Sequence, residues 1–549
     1  MSEHMSKQEI MSAATAAAEP LRGLRVLVTA IDLEQSEHRG IAVYSKGVLK
    51  ALRQAGAEVW LLTQFAPSMA DVRTSGLPSN TANMIFSARV LESMNSGKEA
   101  NIDSRQQQFL QQIPLFKRLK KLRRLIHELV GTLLPKHRFD QRNLKTIPTQ
   151  EIFDNPYLQS ERLGYLQEVN GLICASHIFV HSFRLAQQRS GHVLRLDLQG
   201  FDGVITTCPL NMDFGNVRFV VQSIHDLIPL EYVQTSDHVI GFSRRLRACA
   251  NAGRLFVSES TRHKFETAIL QPTSTRPHAS GVVIQSPSLA FPADACDWEA
   301  RIHELPLYSE TQRRLQPLQP CRYLLFNSSV EPRKNLLFVL KAFIESGVER
   351  HGIKLCITGK LKADRYSAKV KGLVNSHPDV LLTGYVDEAT KRQLFLNALA
   401  VVSPSLVEGF GIPVLDAACL GLPVIASPSE SHREIQQLHD FEQHMLLCST
   451  LETSDWASAI RLVVGRMERR WLEASAGRPE HLRPQQQRLW LDELRQQRIR
   501  RYRQLQQSIN AAFRASISHL IQTELSIVAG GDRYASPQPE ATAAITSRI

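Results

Sequence analysis

The sequence predicts an α/β protein of two domains, each built around a parallel sheet. Residues 25–30 and 57–63 are short apolar runs that predict strands, and residues 43–56 between them have the spacing of a helix. These three segments together predict a βαβ unit at the head of a parallel sheet. A second alternation of strands and helices begins at residue 322, and the 549 residues are too many for one ordinary core.

The first domain continues after a long interruption. Residues 65–160 are mostly polar and break the alternation, so we interpret them as a helical insertion. The next predicted strands are residues 203–206, 219–224 and 255–258, with a helix after the last of them. Residues 292–320 contain several prolines and polar turns, which predict a linker between the domains.

The second domain is predicted as alternating strands and helices. The strands are residues 322–326, 354–358, 380–383, 400–403 and 424–426, and the helices are residues 335–346, 363–377, 388–398 and 413–419. Beyond residue 460, apolar residues recur at helical spacing among arginines and glutamines, which predicts one or two long amphipathic helices. We therefore expect domains at 23–300 and 318–470, C-terminal helices at 471–529, and disordered tails at 1–22 and 530–549.

Composition narrows the class of protein. No run of 18 apolar residues is present, and residues 1–20 lack the basic start and apolar middle of a signal peptide. The eight cysteines include no C-x-x-C pair, which argues against a zinc site or a disulfide framework and favours a reducing cytoplasm. A net charge of +12 predicts an anionic partner, which is a membrane surface, a nucleic acid or a phosphorylated substrate.

The strongest functional signal is the segment 403–417. A predicted strand ends there, glycines at 409 and 411 let the backbone approach a ligand, and Pro413 stands where a helix begins. The N–H groups at the start of that helix favour phosphate oxygens. Glu408 in the loop can accept sugar hydroxyls, and Asp416, one helical turn in, can reach a ribose.

A second signal is the segment 331–335, which directly follows the first strand of the same domain. Ligands of open parallel sheets bind beyond the carboxyl ends of the strands. The adjacent cations Arg333 and Lys334 at that edge suit a diphosphate, which leaves more easily when its charge is neutralised.

These two segments, with Thr383-Gly384-Tyr385-Val386 between them, resemble the retaining glycosyltransferases of family 4, which have the GT-B fold. The resemblance covers residues 320–435 closely and the first domain more loosely, through residues 40–44 and 225–230. It implies two Rossmann-like domains that face a central cleft, with a helical insertion and a C-terminal helical extension that crosses back onto the first domain.

The resemblance also implies a role for each matching residue. Glu408 would hold the donor sugar, His225 would lie near it, and Arg333 and Lys334 would bind the diphosphate. The implied donor-binding residues are Gly40, Gly384, Tyr385, Val386, Ser405, Gly409, Phe410, Gly411, Ile412, Val414 and Asp416. Asp416 stands where the family usually has a glutamate on the ribose, and many members have an arginine near the position of Ser328.

The implied reaction is hexose transfer with retention of configuration, without a metal ion and with the nucleotide-diphosphate sugar as the only small-molecule partner. Residues 225–230 and 331–335 together resemble bacterial mannosyltransferases of surface polysaccharides. GDP-mannose is therefore the favoured donor, with UDP-hexoses as the alternative, and a glycan or a lipid-linked glycan is the expected acceptor. The D-x-E triplets at 32–34 and 297–299 lack the setting of a metal motif.

Two other functions are also compatible with the sequence. One is a noncatalytic nucleotide-sugar binder on the same fold. The other is a membrane adaptor, because residues 113–130 predict a basic amphipathic helix that suits an anionic bilayer as well as a solvated domain surface. Nucleic acid is not expected, because no aromatic residues interleave with these charges. The expected location is the cytoplasm, with possible contact at the inner face of the plasma membrane, and the arginine-rich stretch 495–503 is predicted to be a solvated helix face.

Overall fold

The computed structural model describes residues 19–35, 38, 40–67, 76–98, 135–148, 161–232, 238–271, 277–292, 305–474 and 483–531. These residues form two α/β domains facing a cleft, and a long C-terminal helix runs over both. The predicted fold class, the GT-B arrangement, is confirmed. Among these residues no helix is long and apolar enough to cross a membrane. The basic segment 113–130 and most of both predicted tails lie outside the described residues.

The N-terminal domain is built on a mostly parallel sheet. Its strands are β1 (Arg25–Thr29), β2 (Glu58–Thr63), β3 (Arg138–Asp140), β4 (Lys145–Pro148), β5 (Gly171–Cys174), β6 (Leu194–Asp197), β7 (Gly203–Thr206), β8 (Met212–Gly215), β9 (Phe219–Ile224), β10 (Gly253–Phe256) and β11 (Ser280–Val282). Eight of them form one sheet in the order β11-β10-β9-β7-β1-β2-β5-β4. Strands such as β7 are buried along their whole length, because helices cover both faces of a parallel sheet.

The insertion is not purely helical in its described part. It contains a helix, Ser79–Ser96, but β4 pairs antiparallel with β5 and forms the edge of the main sheet. β3 joins β6 and β8 in a separate three-stranded parallel sheet. Strands of three or four residues carry too few alternating positions to show a strand period, which is why the sequence did not reveal them.

The C-terminal domain contains a hairpin and a six-stranded parallel sheet. The hairpin strands are β12 (Leu305–Ser309) and β13 (Arg314–Leu318), and the sheet strands are β14 (Tyr323–Asn327), β15 (Lys354–Thr358), β16 (Val380–Gly384), β17 (Ala400–Ser403), β18 (Val424–Ala426) and β19 (Met445–Leu447). The strand order β16-β15-β14-β17-β18-β19 reverses between β14 and β17. This topological switch point is where such sheets bind ligands.

The hairpin corrects the predicted linker at 292–320. β12 and β13 pair antiparallel, with Pro306 opposite Pro317, and the Glu310 N–H at the hairpin tip donates to the Leu382 carbonyl at 2.8 Å. These strands were not predicted from the sequence, because prolines are typical of turns and linkers. Proline is tolerated in strands whose outer edge needs no N–H donor, so both residues fit an edge hairpin. Residues 305–318 therefore form a hairpin that is bonded to the second domain.

Thirteen α-helices are described between the strands and after them. They are α1 (Gly40–Gln54), α2 (Ser79–Ser96), α3 (Ile178–Gln187), α4 (Ile228–Glu231), α5 (Val239–Ala248), α6 (Glu259–Phe265), α7 (Leu336–Ser346), α8 (Arg365–Asn375), α9 (Glu388–Asn397), α10 (Ile412–Cys419), α11 (Glu430–Gln436), α12 (Thr453–Glu473) and α13 (Arg483–Gly531). α12 belongs to the core of the second domain, where Trp456 and Ile460 are fully buried.

The C-terminal helix α13 returns to the first domain, as expected. Phe513 packs edge-to-face on Tyr44 of α1, with ring centroids 5.7 Å apart. The apolar stripe of α13 is buried at Tyr502, Ile509, Phe513, Ile517 and Leu520, whereas Leu489 is exposed. One apolar core therefore continues from the first domain through α13 into the second.

The prediction that residues 495–503 form a solvated helix face is wrong. Arg495 and Arg498 are only 2% and 4% exposed. Arg495 Nε donates to Asn397 Oδ1 at 2.8 Å, and Arg498 Nη1 donates to the Leu396 and Ala398 carbonyls at 2.6 and 3.1 Å. These guanidinium groups bond backbone and amide oxygens at the C-terminal end of α9. The helical spacing shows which residues share a face but does not show that this face packs on carbonyl groups.

Candidate functional site

A cleft of about 530 Å³ lies between the two domains. On the C-terminal side it is lined by the loops that follow β14 and β17, the two strands of the switch point. On the N-terminal side it is lined by residues that follow β1 and β9. All of these loops lie at carboxyl ends of parallel strands, which explains why separate segments of the sequence meet here.

Glu408 lies at the centre of the C-terminal wall. Lys334 Nζ donates a hydrogen bond to Glu408 Oε1, and Ser405 Oγ donates to the same oxygen at 2.7 Å. Arg333 Nη1 is 3.7 Å from Glu408 Oε2. The Leu406 N–H donates to the Arg333 carbonyl at 2.8 Å, so the backbone also joins the two loops. The two motifs found in the sequence therefore form one site.

The charges of this site stabilise each other. Burial would raise the pKa of Glu408, but the positive charges of Lys334 and Arg333 outweigh it and lower the pKa to about 2. Burial lowers the pKa of Lys334, and the Glu408 carboxylate opposes that shift. Glu408 is consequently ionised at neutral pH and serves as a fixed acceptor of hydrogen bonds.

Glu331 also belongs to this cluster, although the sequence alone predicted no role for it. Its carboxylate accepts from Arg333 Nε at 3.0 Å and is paired with Lys362 Nζ at 2.9 Å. Burial would raise the pKa of Glu331, yet Lys362 and Arg333 overcome this and lower it. Glu331 thereby orients the Arg333 guanidinium beside the cleft, so that three cations face two carboxylates and the cluster retains a positive charge.

Gly409 lies where the two domains approach each other closely in the cleft. A Cβ atom at this position would lie 2.4 Å from the His225 carbonyl oxygen, so any larger residue would displace that backbone. Gly411 has φ of +110°, which favours glycine, and precedes the first residue of α10. The first N–H groups of α10 lack acceptors within the helix and suit an anionic ligand.

His225 is nearly buried at the N-terminal wall. Its Nε2–H donates to the Thr207 carbonyl at 2.7 Å, which leaves Nδ1 without a proton. Its ring packs edge-to-face on Tyr44 at 4.7 Å, and the Tyr44 hydroxyl donates to Ser223 Oγ. Burial lowers the pKa of His225 to about 4, so the imidazole is neutral at pH 7. Tyr44 itself packs in the core.

Asp416 lines the cleft, but the bonds of its fully buried carboxylate lie within the chain. Oδ1 accepts from the Ser288 N–H and from the Tyr502 hydroxyl, both at 2.7 Å, and Oδ2 accepts from Ser288 Oγ. Lys391 Nζ donates to Ser288 Oγ at 2.9 Å. The predicted ribose contact stays a prediction, and it would require a hydroxyl to share an oxygen that these groups already bond.

The remaining predicted residues divide into two groups. Those that line the cleft are Gly40, Tyr385, Val386, Phe410 and Ile412. Those that lie behind it are Gly384, whose carbonyl accepts from the Gly359 N–H at 2.8 Å, Ser405, which bonds Glu408, and the fully buried Val414. The second group supports the loops and does not face the space between the domains.

The cleft also contains residues that the sequence argument missed. Asp32 follows β1, and burial raises its pKa to about 6. Glu388 and Lys391 lie in the first turn of α9, directly after β16. The sequence signal that could have identified these residues is their position just beyond the carboxyl ends of predicted strands.

Comparisons with known proteins match the part of the chain that forms the C-terminal wall of this cleft. Residues 321–465 match the family model described as "Glycosyl transferases group 1". An "uncharacterized glycosyltransferase" of Methanocaldococcus jannaschii is 30% identical over 106 residues, which are 19% of this chain and 27% of that protein. "O-antigen chain mannosyltransferase B" of Escherichia coli is 29% identical over 127 residues, which are 21% of this chain and 30% of that protein. The matches thus span less than a third of these relatives.

Among solved structures, a sucrose-phosphate synthase from Thermosynechococcus elongatus aligns with 93% of this chain and 100% of its own, at 12% identity and a TM-score of 0.48. The assignment therefore depends on the sequence match, which contains both Arg333-Lys334 and the Glu408 loop. Residues 321–465, in the C-terminal domain of this chain, are similar to the glycosyl transferases group 1 family.

Proposed function

We propose that this protein is a retaining glycosyltransferase that moves a hexose from a nucleotide-diphosphate sugar to a glycan or lipid-linked acceptor. The observation that carries the proposal is the Glu408–Lys334 pair, which lies in the interdomain cleft at the switch point and beside the start of α10. A buried carboxylate next to a cationic cluster can hold sugar hydroxyls and a diphosphate at the same time.

The diphosphate would bind Arg333, Lys334 and the first N–H groups of α10. Negative charge develops on the diphosphate as its bond to the sugar breaks, and fixed cations stabilise that charge without having to reorganise. This role for the cations supports a reaction that needs no metal ion. Transfer that continues at the same rate in excess EDTA is the expected result, and a rate restored only by added Mg²⁺ or Mn²⁺ would contradict it.

Retention without a covalent intermediate is supported by the state of Glu408. Its pKa of about 2 and its bonds from Lys334 and Ser405 make it a weak nucleophile. Attack by the acceptor hydroxyl on the same face of the sugar, with the leaving phosphate as proton acceptor, requires no enzyme nucleophile. The acceptor would enter the cleft along its N-terminal wall. The basic segment 113–130 would contact an anionic membrane at the cytoplasmic face.

The favoured donor is GDP-mannose. The support is the similarity of this chain to the O-antigen chain mannosyltransferase B of Escherichia coli. A thermal-shift screen against GDP-, UDP- and ADP-sugars identifies the base, because a ligand that binds only the folded state raises the melting temperature. Stabilisation by UDP-hexoses and not by GDP-mannose would overturn this choice of donor.

The test of the activity itself is donor turnover followed by proton NMR. Wild-type protein is expected to convert an α-linked donor into an α-linked product, whereas Lys334→Ala should lose most of the turnover. Lys371→Ala removes an exposed lysine of α8 and is the matched control. A β-linked product would exclude retention, and turnover by Lys334→Ala equal to that of the control would exclude this site.

A noncatalytic nucleotide-sugar binder is the second candidate, and the bonds of Asp416 favour it. A carboxylate that already accepts hydrogen bonds from Ser288 and Tyr502 has less capacity to accept a further bond from a ribose hydroxyl than an unbonded carboxylate has. Specific binding of a nucleotide sugar with neither transfer nor hydrolysis, in wild-type protein and in Glu408→Gln alike, would support this alternative.

A further inference from the structure

A second cavity, of about 590 Å³, lies in the C-terminal domain, away from the cleft. It is lined by the turn at Gly421 and Pro423, which precedes β18, and by residues of α12 and α13. The cleft is at the carboxyl ends of the strands, whereas this turn is at the amino end of β18. The two sites therefore share no lining residue.

The cavity is strongly cationic. Five arginines line it: Arg466, Arg469 and Arg470 from α12, and Arg498 and Arg501 from α13. The carboxylates near them are Glu473 in the lining and Asp440, which accepts from both Nη atoms of Arg501 at 2.9 and 2.5 Å. Five guanidinium groups thus face two carboxylates, and the cavity keeps a surplus of positive charge.

Several of these guanidinium groups have unused donors. Nε of Arg501 is buried and has no hydrogen-bond partner in the described chain. Arg466, Arg469 and Arg470 are exposed, and their side chains make no ion pair with any described residue. Burial lowers the pKa of the lining residue His444, and the positive charges of Arg501 and Arg470 lower it further, as expected where cations are concentrated.

We propose that this cavity binds a phosphate-bearing anion, either a free oligophosphate or the phosphate group of an anionic lipid. Guanidinium groups present paired donors that match phosphate oxygens, and clusters of them are the usual means of phosphate recognition. Arg498 is fixed by backbone carbonyls and Arg501 by Asp440, so part of the site is preorganised. The three exposed arginines of α12 would then close on the bound anion.

The test compares two double variants in an Arg333→Gln background, which weakens anion binding in the cleft. Arg466→Gln/Arg470→Gln removes two charges from the cavity. Arg365→Gln/Arg500→Gln removes two exposed arginines that do not line it, and serves as the control. Calorimetric titration with inorganic tripolyphosphate and sedimentation with phosphatidylglycerol vesicles, against phosphatidylcholine vesicles, measure the two sources of phosphate.

A loss of at least about tenfold in affinity for either probe, seen in the cavity variant and not in the control, is the expected result. The probe whose binding falls identifies the source of the phosphate. The proposal is overturned if the cavity variant and the control variant bind both probes equally well. It is also overturned if the Arg333→Gln protein without further substitutions binds neither probe. Arg469→Gln/Arg470→Gln is a second variant for the same measurement should the first one fail to fold.

Discussion

Replacing Glu408 by glutamine should destabilise the protein mainly through the lysine left behind. The amide keeps the size of the side chain and can still accept from Ser405, but it removes the charge that balances Lys334. Lys334 is 8% exposed, so its ammonium would remain buried with only a neutral partner. Removing one member of a buried ion pair is costly for this reason, whereas removing both is often nearly neutral.

The size of the effect follows from the pKa of Glu408. The pKa falls from 4.5 to about 2 on folding, which corresponds to about 3 kcal/mol of stability at neutral pH. Because the folded pKa is the lower one, this contribution is complete above pH 4.5 and disappears as the pH falls towards 2. We expect Glu408→Gln to lose about 3 kcal/mol at pH 7 and to lose this part of the acid sensitivity.

Urea unfolding at pH 7 measures the free energies, in a cycle of Glu408→Gln, Lys334→Gln and the double variant. The double variant should recover most of the loss, which gives a coupling energy of about 2 kcal/mol or more. Glu442→Gln, at an exposed position in the same domain, is the control and should change little. Additive single effects, or a Glu408→Gln protein as stable as the control, would refute the buried pair.

Three further outcomes are expected. Gly409→Ala should lower the free energy of unfolding by about 1–3 kcal/mol and abolish most donor turnover, because its Cβ would meet the His225 carbonyl. The control is Gly465→Ala, whose Cβ meets nothing within 4 Å and which should have neither effect. Equal melting temperatures of the two variants would contradict this prediction. As the pH is lowered from 6.5 to 4, the free energy of unfolding should fall by up to about 3 kcal/mol through His225, because its pKa is lower in the folded state and the unfolded chain takes up the proton first. In urea unfolding at several pH values, His225→Asn should make this pH dependence shallower. An unchanged pH dependence would exclude this histidine as its source. Tyr502→Phe should lower the unfolding free energy by about 1–3 kcal/mol, since it removes one of the hydrogen bonds to Asp416 and leaves the Leu289 N–H without its partner. No change in urea unfolding would show that these bonds do not hold α13.

The alternation of the second domain could be predicted from the sequence because its strands are apolar along their whole length. The strands 354–358, 400–403 and 424–426 were predicted with the bounds that the structure has. Strands covered on both faces leave continuous apolar runs, and the helices between them have a different period. The hairpin at 305–318 lacks such a run, since its prolines and polar residues lie at an edge.

The candidate site could be predicted only as far as its local motifs allow. The positions of Glu408 and Lys334 follow from strand ends, so their convergence was expected before the structure. The bond from Tyr502 to Asp416 joins residues 86 positions apart, and no local pattern encodes it. The buried arginines of α13 were missed for the same reason: their partners are carbonyl groups of another helix, which a helical period does not reveal.

The most direct test of the central claim is calorimetric titration of nucleoside diphosphates into the purified protein. Wild-type protein should bind one of GDP, UDP or ADP, and Arg333→Gln should weaken that binding by about tenfold or more, because it removes a charge-assisted contact to the diphosphate. Lys371→Gln, which removes a distant exposed lysine, should bind as the wild type does. Equal affinities for wild-type protein and Arg333→Gln would contradict a donor site at the Glu408–Lys334 pair.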